Sequence, residues 1–485
     1  MSDVTLEDIA SLAKRRGFVF QASEIYGGLA GFWDYGPLGV ELVNNIKQEW
    51  WKAMVREHDN VFGVDGAIIQ NPKLWEASGH VAGFTDPMVE DMVNHKRYRA
   101  DHLAGTDSTD LAELKELLKG KKSPDGNPLS EPQVFNMMMQ TFIGPTTGVQ
   151  FEGIDSLSGK IQARDKKTGK TIIVDVQDRQ DADSFMFYEA GQKSYLRPET
   201  AGSIFTNYDN VRETMRAKLP FGVAQIGKAF RNEISPRDFI FRVRELEQME
   251  MQYFIKPDQQ EGVYEQWRDF AWHFLTERLG IKEASLQWHE HDEKERAHYA
   301  AAAHDIYFKF PQGFKELWGT HNRTDYDLSA HQDASGKDLQ YFDDETRERF
   351  IPYVVESSVG VGRMLMAVLA DAYTLDEING EQRLVLKLKP SLAPYKACVS
   401  PLLKNKPELV AKAREVYTML KKELGNVMWD DNGNIGKRYR RQDEIGTPVC
   451  VTIDFQTLED NTVTVRSRDT AEQVRVGVAE LVSNI

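Results

Sequence analysis

Apolar positions recur at spacings of three and four after Gly36-Pro37: Val43, Ile46, Trp50 and Met54 form one stripe, which predicts a long helix. Pro37 suits its first turn, where an N–H is not needed. Before it runs Tyr26-Gly-Gly-Leu-Ala-Gly-Phe-Trp-Asp-Tyr-Gly36, so helix and lead read as core or as a dimer surface. Residues 105–130 are polar, with a loop signal over 119–128, and 150–180 alternate polar and apolar around Gly and Lys turns. The span 100–185 therefore reads as an inserted, partly β region. Residues 188–255 look strand-rich. Residues 258–305 look helical, with Tyr264, Trp267, Phe270, Ala271 and Phe274 on one face. Residues 350–370 read as strand, glycine turn and helix. After Pro390 the pattern changes. A strand at 396–400 leads to a helix with Val410, Ala413, Tyr417, Leu420 and Leu424 on one face, ended by Gly425. Strands at 448–455 and 461–468 follow, then a helix carrying Ala471, Val474, Val478 and Leu481. This is a compact α/β module with its boundary near 388.

Composition narrows the class. The 485 residues are 41% hydrophobic and 28% charged, enough for a large core and unlike a disordered chain. No run approaches the roughly 18 apolar residues of a membrane span. The opening Met-Ser-Asp-Val-Thr-Leu-Glu-Asp lacks the basic and apolar parts of a secretory signal. The expectation is a cytoplasmic protein with no membrane partner. Cys398 and Cys450 are too few for a disulfide scaffold or a multi-cysteine zinc site and read as buried thiols; the histidines read as mostly surface groups. The net charge of −15 does not advertise a nucleic-acid binder. Gripping an RNA takes only a local positive face, however, and Lys437, Arg438, Arg440 and Arg441 are the densest basic cluster.

Three stretches carry chemistry. A strand over 223–233 lines up Gln225, Gly227, Ala229, Arg231 and Glu233 on one face, and a second over 241–254 lines up Arg242, Arg244, Leu246, Gln248, Glu250 and Gln252. Residues 234–240 between them suit a hairpin loop. The pair presents three arginines and at least two glutamates on one surface, charges that are costly to bury without a partner or a ligand. In the third stretch, 351–363, alternation groups Val354, Glu356 and Ser358. Gly360 and Gly362 then turn the backbone into a helix whose start carries Arg363, a setting suited to phosphate.

Together these stretches resemble a family. Phe230-Arg-Asn-Glu233 followed by Arg244-Glu-Leu-Glu-Gln248 resembles the second signature of class II aminoacyl-tRNA synthetases, and Gly360-Val-Gly-Arg363 the third. The helix at Gly36-Pro37-Leu-Gly39 resembles the first, a dimer-interface element. A narrower resemblance, to the homodimeric glycyl-tRNA synthetases, covers nearly the whole chain apart from the inserted region. It rests on Glu24-Ile-Tyr-Gly-Gly28 with Gly31-Phe-Trp-Asp-Tyr-Gly-Pro37, Arg97-Tyr-Arg-Ala-Asp-His102, Phe135-Asn136 with Ile143-Gly-Pro145, and Tyr195-Leu-Arg-Pro-Glu-Thr-Ala201. Arg231-Asn-Glu-Ile-Ser-Pro-Arg237, Arg242-Val-Arg-Glu245, His298-Tyr299, Glu316-Leu317, His321-Asn-Arg-Thr-Asp-Tyr-Asp327 and Tyr439-Arg-Arg-Gln-Asp-Glu-Ile-Gly-Thr-Pro448 belong to it too.

The resemblance implies an α+β fold: a class II antiparallel sheet with flanking helices over 1–388, carrying an α/β insertion at about 100–185, and a C-terminal α/β anticodon-binding domain over 389–485. It implies ATP-dependent attachment of glycine to tRNA(Gly) through a glycyl-adenylate, by a homodimer using Mg²⁺ and no zinc. Arg231 would hold the α-phosphate and the attacking carboxylate, Arg363 the γ-phosphate, and Glu233 would lie near the adenine. Glu316 would bind Mg²⁺ together with the phosphates. Further ATP contacts implied are Asn232, Phe241, Arg242, Val243, Arg244, Glu245, Leu246, Leu317, Gly360, Val361 and Gly362. Glycine has no side chain to grip, so its ammonium must be read and larger residues excluded. Glu199, Glu356 and Ser358 match that role and Arg99 a further contact, with Leu246, Glu247, Gln248, Met249, Glu250, Ser357, Val359 and Gly360 around them. Arg440, Arg441, Arg466 and Arg468 are the implied RNA contacts, whose affinity would fall steeply with salt. Leu246 stands where the family usually has a phenylalanine packed on adenine, and Gly202-Ser203 where it usually has Gln-Gly. Two other readings share parts of the pattern. One is a class II synthetase for threonine, proline or histidine, against which the 24–37 and 195–201 motifs argue. The other is a non-catalytic synthetase-like binding subunit, which should have lost Arg231, Glu233, Glu356 and Arg363.

Overall fold

The computed structural model describes residues 4–106, 108–143, 160–165, 171–175, 185–186, 192–291, 301–378 and 380–485. Seven strands form the central sheet: β1 (Val61–Gly63), β2 (Phe221–Phe230), β3 (Glu245–Ile255), β4 (Leu286–Glu290), β5 (Ala302–Phe310), β6 (Gly313–Thr324) and β7 (Tyr353–Gly360). Their order is β4-β5-β6-β7-β3-β2-β1, antiparallel throughout except that β1 runs parallel to β2.

Strand alternation splits the sheet into two faces. Met249, Met251, Tyr253, Trp318, Val355 and Val359 point into the main core, against the helices Pro37–Trp51, Gln260–His273 and Val361–Ala372. The stripe Val43, Ile46, Trp50 and Met54 is buried there, Met54 on a π-helical turn that prolongs its helix. Gly39 lets that helix start against the preceding chain, since a Cβ would lie 1.8 Å from the Phe18 carbonyl oxygen. On the opposite face, Phe221, Val223, Phe254 and Val354 pack under the helices Ala201–Thr206, Tyr208–Met215 and Tyr326–Ser335. The rest of that face is polar.

Several elements differ from the sequence reading. The strands expected at 223–233 and 241–254 run 221–230 and 245–255, so Arg231, Glu233, Arg242 and Arg244 stand on the connecting loop. Loop backbone groups bond away from the ladder: the Asn232 N–H donates to Met137 O and the Arg244 N–H to Gly31 O, each at 2.8 Å. Two helices interrupt the span read as strand-rich. The helix expected over 258–305 ends at His273, with a π-helical turn to Arg278. Gly280, at φ +74°, breaks it, and Leu286–Glu290 and Ala302–Phe310 are strands. His298-Tyr299 and Gly144-Pro145 lie outside the described residues. The described pieces of 100–185 pair among themselves or with 85–99 and 192–196, not with the central sheet.

From Ala397 onward the chain builds a second core around Val399, Leu409, Ala413, Val451 and Val463. Its strands are β8 (Ala397–Pro401), β9 (Val427–Trp429), β10 (Val449–Ile453), β11 (Thr462–Ser467) and β12 (Gln473–Gly477), in the order β9-β8-β10-β11-β12. The first three are mutually parallel and the last two antiparallel. The helix Pro407–Leu424 buries Leu409, Ala413, Val416 and Leu420, a stripe turned slightly from the expected one. The helix expected over 471–481 is instead β12 followed by a 3₁₀ segment, Val478–Asn484. Val474 and Val476 pair with Val465 and Val463, and that β-branched pairing outweighs the helical spacing. Cys398 and Cys450 are buried free thiols, register partners on β8 and β10. Among the described residues no helix is long and apolar enough to cross a membrane.

Candidate active site

The polar part of the sheet face collects three carboxylates. Register sets Glu250 opposite Gln225 and Ser358, and Glu356 opposite Gln252 and His321. Glu199 enters from the segment before the helix Ala201–Thr206, with His80 Nε2 3.3 Å from its carboxylate. Gln252 Nε2 donates to Glu250 Oε1 at 2.9 Å and to Glu356 Oε2 at 3.0 Å. The Thr200 hydroxyl donates to Glu250 Oε2. Arg323 Nη1 donates to Glu356 Oε2 at 2.8 Å, while Nε and Nη2 grip Asp327 at 2.7 and 2.8 Å. His321 Nδ1 lies 3.0 Å from Glu356 Oε1.

Electrostatics divides the three acids. Burial alone pushes every one of them up. At Glu199 the neighbouring His80 and Arg323 overcome it and hold the carboxyl below the ordinary value. At Glu356 the Arg323 guanidinium, His321 and Gln252 overcome it by far. Glu250 has burial and both neighbouring carboxylates against its ionisation, and is raised to about 8. For His321 burial works downward, but Asp305 and Glu356 outweigh it and raise the imidazole to about 10.

Beyond Ser358 the face opens into a cavity of about 160 Å³ bordered by Trp33, Arg231, Glu233, Phe241, Arg242, Leu246, Gln248, Glu316, Gly360 and Arg363. Gly360 caps the helix that starts at Val361. The Arg363 guanidinium lies 4.5 Å over the Phe241 ring, and its Nη1 is 3.1 Å from Glu316 Oε2. A Cβ on Gly362 would come 3.2 Å from Ile240 O, so glycine lets the loop close on the helix. Arg231 borders the cavity and donates from Nε to Pro198 O at 3.1 Å, next to Glu199. It thus stands between the carboxylate cluster and the cavity. Glu233 pairs with Arg242 at 3.7 Å. Phe241, Val243, Glu245, Leu317 and Gly362 also border the cavity.

Other expected site residues are placed elsewhere. Met249, Val359 and Val361 have their side chains in the main core. The Ser357 hydroxyl accepts from Trp318 Nε1 at 2.9 Å on that same face, and Glu247 pairs with Lys47 at 3.2 Å. Alternation turns Met249, Ser357 and Val359 off the polar face and Val361 stands in the first turn of the helix, while Glu247 and Val359 still border the cavity. Asn232 does not border the cavity. Arg244 donates to Glu233 O and Ala30 O, tying the 231–244 loop to the glycine-rich lead. Arg99 is gripped by Asp86 and Asp101, each at 2.6 Å, beside Arg242 rather than in the carboxylate cluster. At the Gly202-Ser203 departure, a Cβ on Gly202 would lie 2.8 Å from Leu74 Cδ2, and Ser203 Oγ is 2.7 Å from the Gln225 amide.

The C-terminal arginines are corrected most. Arg466 and Arg468 are buried, not surface contacts: Arg466 donates to both oxygens of Asp443 at 2.8 and 3.0 Å, and Arg468 to Gly446 O at 2.8 Å. Arg438 is buried on backbone carbonyls. Arg441 holds Asp430 and Arg440 pairs with Glu381, while Lys437 stays exposed. Groups that the sequence reading gave no role are His321, Arg323, Gln252, Thr200, Trp33 and Tyr35. The signal for five of them was present in the motifs 31–37, 195–201 and 321–327, but their contacts are long-range.

The chain resembles known proteins over nearly its whole length. Residues 185–372 match the tRNA synthetase class II core domain (G, H, P, S and T), and residues 396–485 match the anticodon binding domain. The chain is 46% identical to a glycine–tRNA ligase of Treponema denticola, over 99% of this chain and 96% of that protein. It is 46% identical to one of Chlorobaculum tepidum, over 98% of each. To one of Streptomyces coelicolor it is 45% identical, over 98% of this chain and 96% of the other.

Proposed function

The chain belongs to the glycine–tRNA ligase family of class II synthetases, and from that premise we propose how its residues divide the attachment of glycine to tRNA(Gly). Glycine's carboxylate oxygen attacks the α-phosphorus of ATP, the bond to the β-phosphate oxygen breaks, and pyrophosphate leaves. The terminal ribose hydroxyl of the tRNA then attacks the glycyl carbonyl, loses its proton to solvent, and releases AMP.

The observation that carries this reading is the position of Arg231, held at the carbonyl of Pro198, the residue before Glu199, and bordering the cavity. A guanidinium there neutralises the attacking carboxylate and the α-phosphate together, the positioning and charge work this chemistry needs. Glu199, Glu250 and Glu356 surround the ammonium, Ser358 adds a hydroxyl, and their bulk leaves no room for a Cβ. Arg363, at a helix start, takes the γ-phosphate. Glu233 and Arg242 serve the adenine end. Leu246 offers it an apolar floor without the ring-stacking worth about 0.5–1.5 kcal/mol.

Glu316 fits a role beside Mg²⁺. Its carboxylate is half exposed at the cavity rim, a hard oxygen donor where phosphates would lie. No group of three or more His, Cys, Asp or Glu among the described residues could hold a metal. Mg²⁺ binds through one or two carboxylates plus substrate phosphates, a role that a single acid beside ATP can fill. When bound it would neutralise phosphate charge. The proposal extends to two units meeting near residue 388, to a cytoplasmic setting and to a homodimer. Ile25 and Tyr26, 88% and 86% exposed before the helix at Pro37, suit a partner subunit. For the tRNA, Lys437, Arg440 and Arg441 border a shallow recess with Arg16.

ATP–pyrophosphate exchange over a screen of amino acids, then charging of tRNA(Gly), tests the reading. Exchange with glycine alone is expected. Exchange with threonine, proline or histidine instead, or none, would overturn it.

A further inference from the structure

Behind the groups around the ammonium site stands a second layer. Glu356 is pinned at both oxygens: Oε2 by Arg323 and Gln252, and Oε1 by His321 Nδ1 at 3.0 Å. His321 Nε2 faces Asp305 Oδ1 at 3.4 Å, and Asp305 Oδ2 lies 2.7 Å from His291 Nε2. The contacts run from β7 across β6 to β5 and the end of β4. Asp305 is buried, and the His291 and His321 rings lie 6.2 Å apart. They pass over Gly319, where a Cβ would come within 3.1 Å of the His321 ring and 3.2 Å of Asp305 Oδ1. Gly319 does not occupy the left-handed region, so close approach rather than turn geometry accounts for glycine there.

We propose that His321 is a positioning and specificity residue: backed by Asp305 and His291, it fixes the Glu356 carboxylate in the orientation that meets glycine's ammonium. This rests on the reading that Glu356 takes the ammonium. The terminal torsion of a glutamate is broad, so a carboxylate anchored at one oxygen still swings. Donation at Oε1, added to the bonds at Oε2, removes that freedom. His321 also helps keep Glu356 ionised beside two other glutamates, so its loss favours protonation of the acid that meets the ammonium. The ammonium keeps its charge while the carboxylate reacts, so the hold on it is the same before and during reaction. Weakening it therefore raises KM and spares kcat. A carboxylate free to swing also opens the space where a Cβ would sit, so alanine gains on glycine.

The test is amino-acid-dependent ATP–pyrophosphate exchange by the full chain carrying His321→Ala, His321→Asn, Gly319→Ala or Glu356→Gln. His321→Ala is expected to raise the KM for glycine about tenfold or more, the scale of a lost bond to a charged group. Its kcat and its KM for ATP should stay within about threefold, and the alanine-to-glycine ratio of kcat/KM should rise. His321→Asn, whose amide takes the place of Nδ1 and keeps a donor for Oε1, should recover most of the glycine KM. Gly319→Ala, which pushes on the ring, should move it in the direction of His321→Ala. Should His321→Ala fail to fold, His321→Asn and Gly319→Ala decide. An unchanged glycine KM in His321→Ala and Gly319→Ala, with a raised KM in Glu356→Gln, overturns the role of His321 alone. An unchanged KM in Glu356→Gln overturns the underlying reading. Loss of kcat and of affinity for both substrates, not rescued by His321→Asn, would mean a purely structural role and also overturns the proposal.

Discussion

Glycine binding is expected to expel a proton. Burial first, then the Glu356 and Glu199 carboxylates, raise Glu250 from its ordinary 4.5 to about 8. The cations at Arg323 and His321 keep Glu356 ionised, and His80 and Arg323 do the same for Glu199. The empty pocket at pH 7 therefore holds two charged acids and one neutral one. A group titrating near 8 is about nine-tenths protonated at pH 7 and about one-tenth at pH 9. An ammonium placed among the three removes the like-charge penalty, so Glu250 ionises and its proton leaves. About 0.9 proton per glycine should be released at pH 7 and about 0.1 at pH 9. The sign follows: the competent pocket has Glu250 ionised, so affinity falls as pH drops through 8. The fall is about fivefold from pH 8 to 7 and about tenfold for the next unit. Calorimetric titration of glycine in two buffers of different ionisation enthalpy counts the protons. Glu250→Gln should bring the count near zero. Equal heats in both buffers at pH 7, or an unchanged count in Glu250→Gln, would refute the reasoning.

Three further outcomes are expected. Glu356→Ala should lose glycine-dependent exchange by at least about thirtyfold in kcat/KM, since truncating a buried charge partner costs about 2–5 kcal/mol; near-normal exchange would sink the ammonium assignment. Arg363→Ala should raise the KM for ATP about tenfold or more with little change in melting temperature, and Arg363→Lys should recover only part, because a lysine cannot lie flat on Phe241 and reach Glu316 together. Arg466→Ala should destabilise the C-terminal unit by about 1.5–3 kcal/mol, the scale of a lost bond to a charged group, since Asp443 keeps Arg383 as a partner, seen as an early calorimetric transition; an unchanged transition with weakened tRNA binding would restore Arg466 as a surface contact.

The residues that could be read in advance are those whose chemistry is local. Val354, Glu356 and Ser358 share a face because strands have a period of two, and Arg363 follows because Gly360 and Gly362 lead into a helix start. Leu246, Gln248 and Glu250 were grouped for the same reason, and the structure groups them. The same rule, applied consistently, would have removed Met249, Ser357 and Val359 from the side-chain contacts, since they alternate with the others. Arg231 and Glu233 were expected in a strand and stand on its exit loop, because the 231–244 segment bonds to Met137 and Gly31, far off in the chain.

His321 and Arg466 show where local pattern stops. Nothing near His321 says that Asp305 lies on one side of it and Glu356 on the other, because the sheet brings three separated strands into register. Nothing near Arg466 announces burial; Asp443, on the helix Ile435–Ile445 three elements earlier, turns an apparent surface cation into an internal strut. Likewise 473–477 carries a helical spacing, and only the valines of the neighbouring strand make it β. The amino-acid order by itself determined the family motifs, the periods and the acid–arginine chemistry of the face, since these are properties of short stretches of backbone. Which charges are neutral, which are paired and which face the ligand was decided by the tertiary structure, because desolvation and Coulomb terms depend on what the rest of the fold packs beside each group.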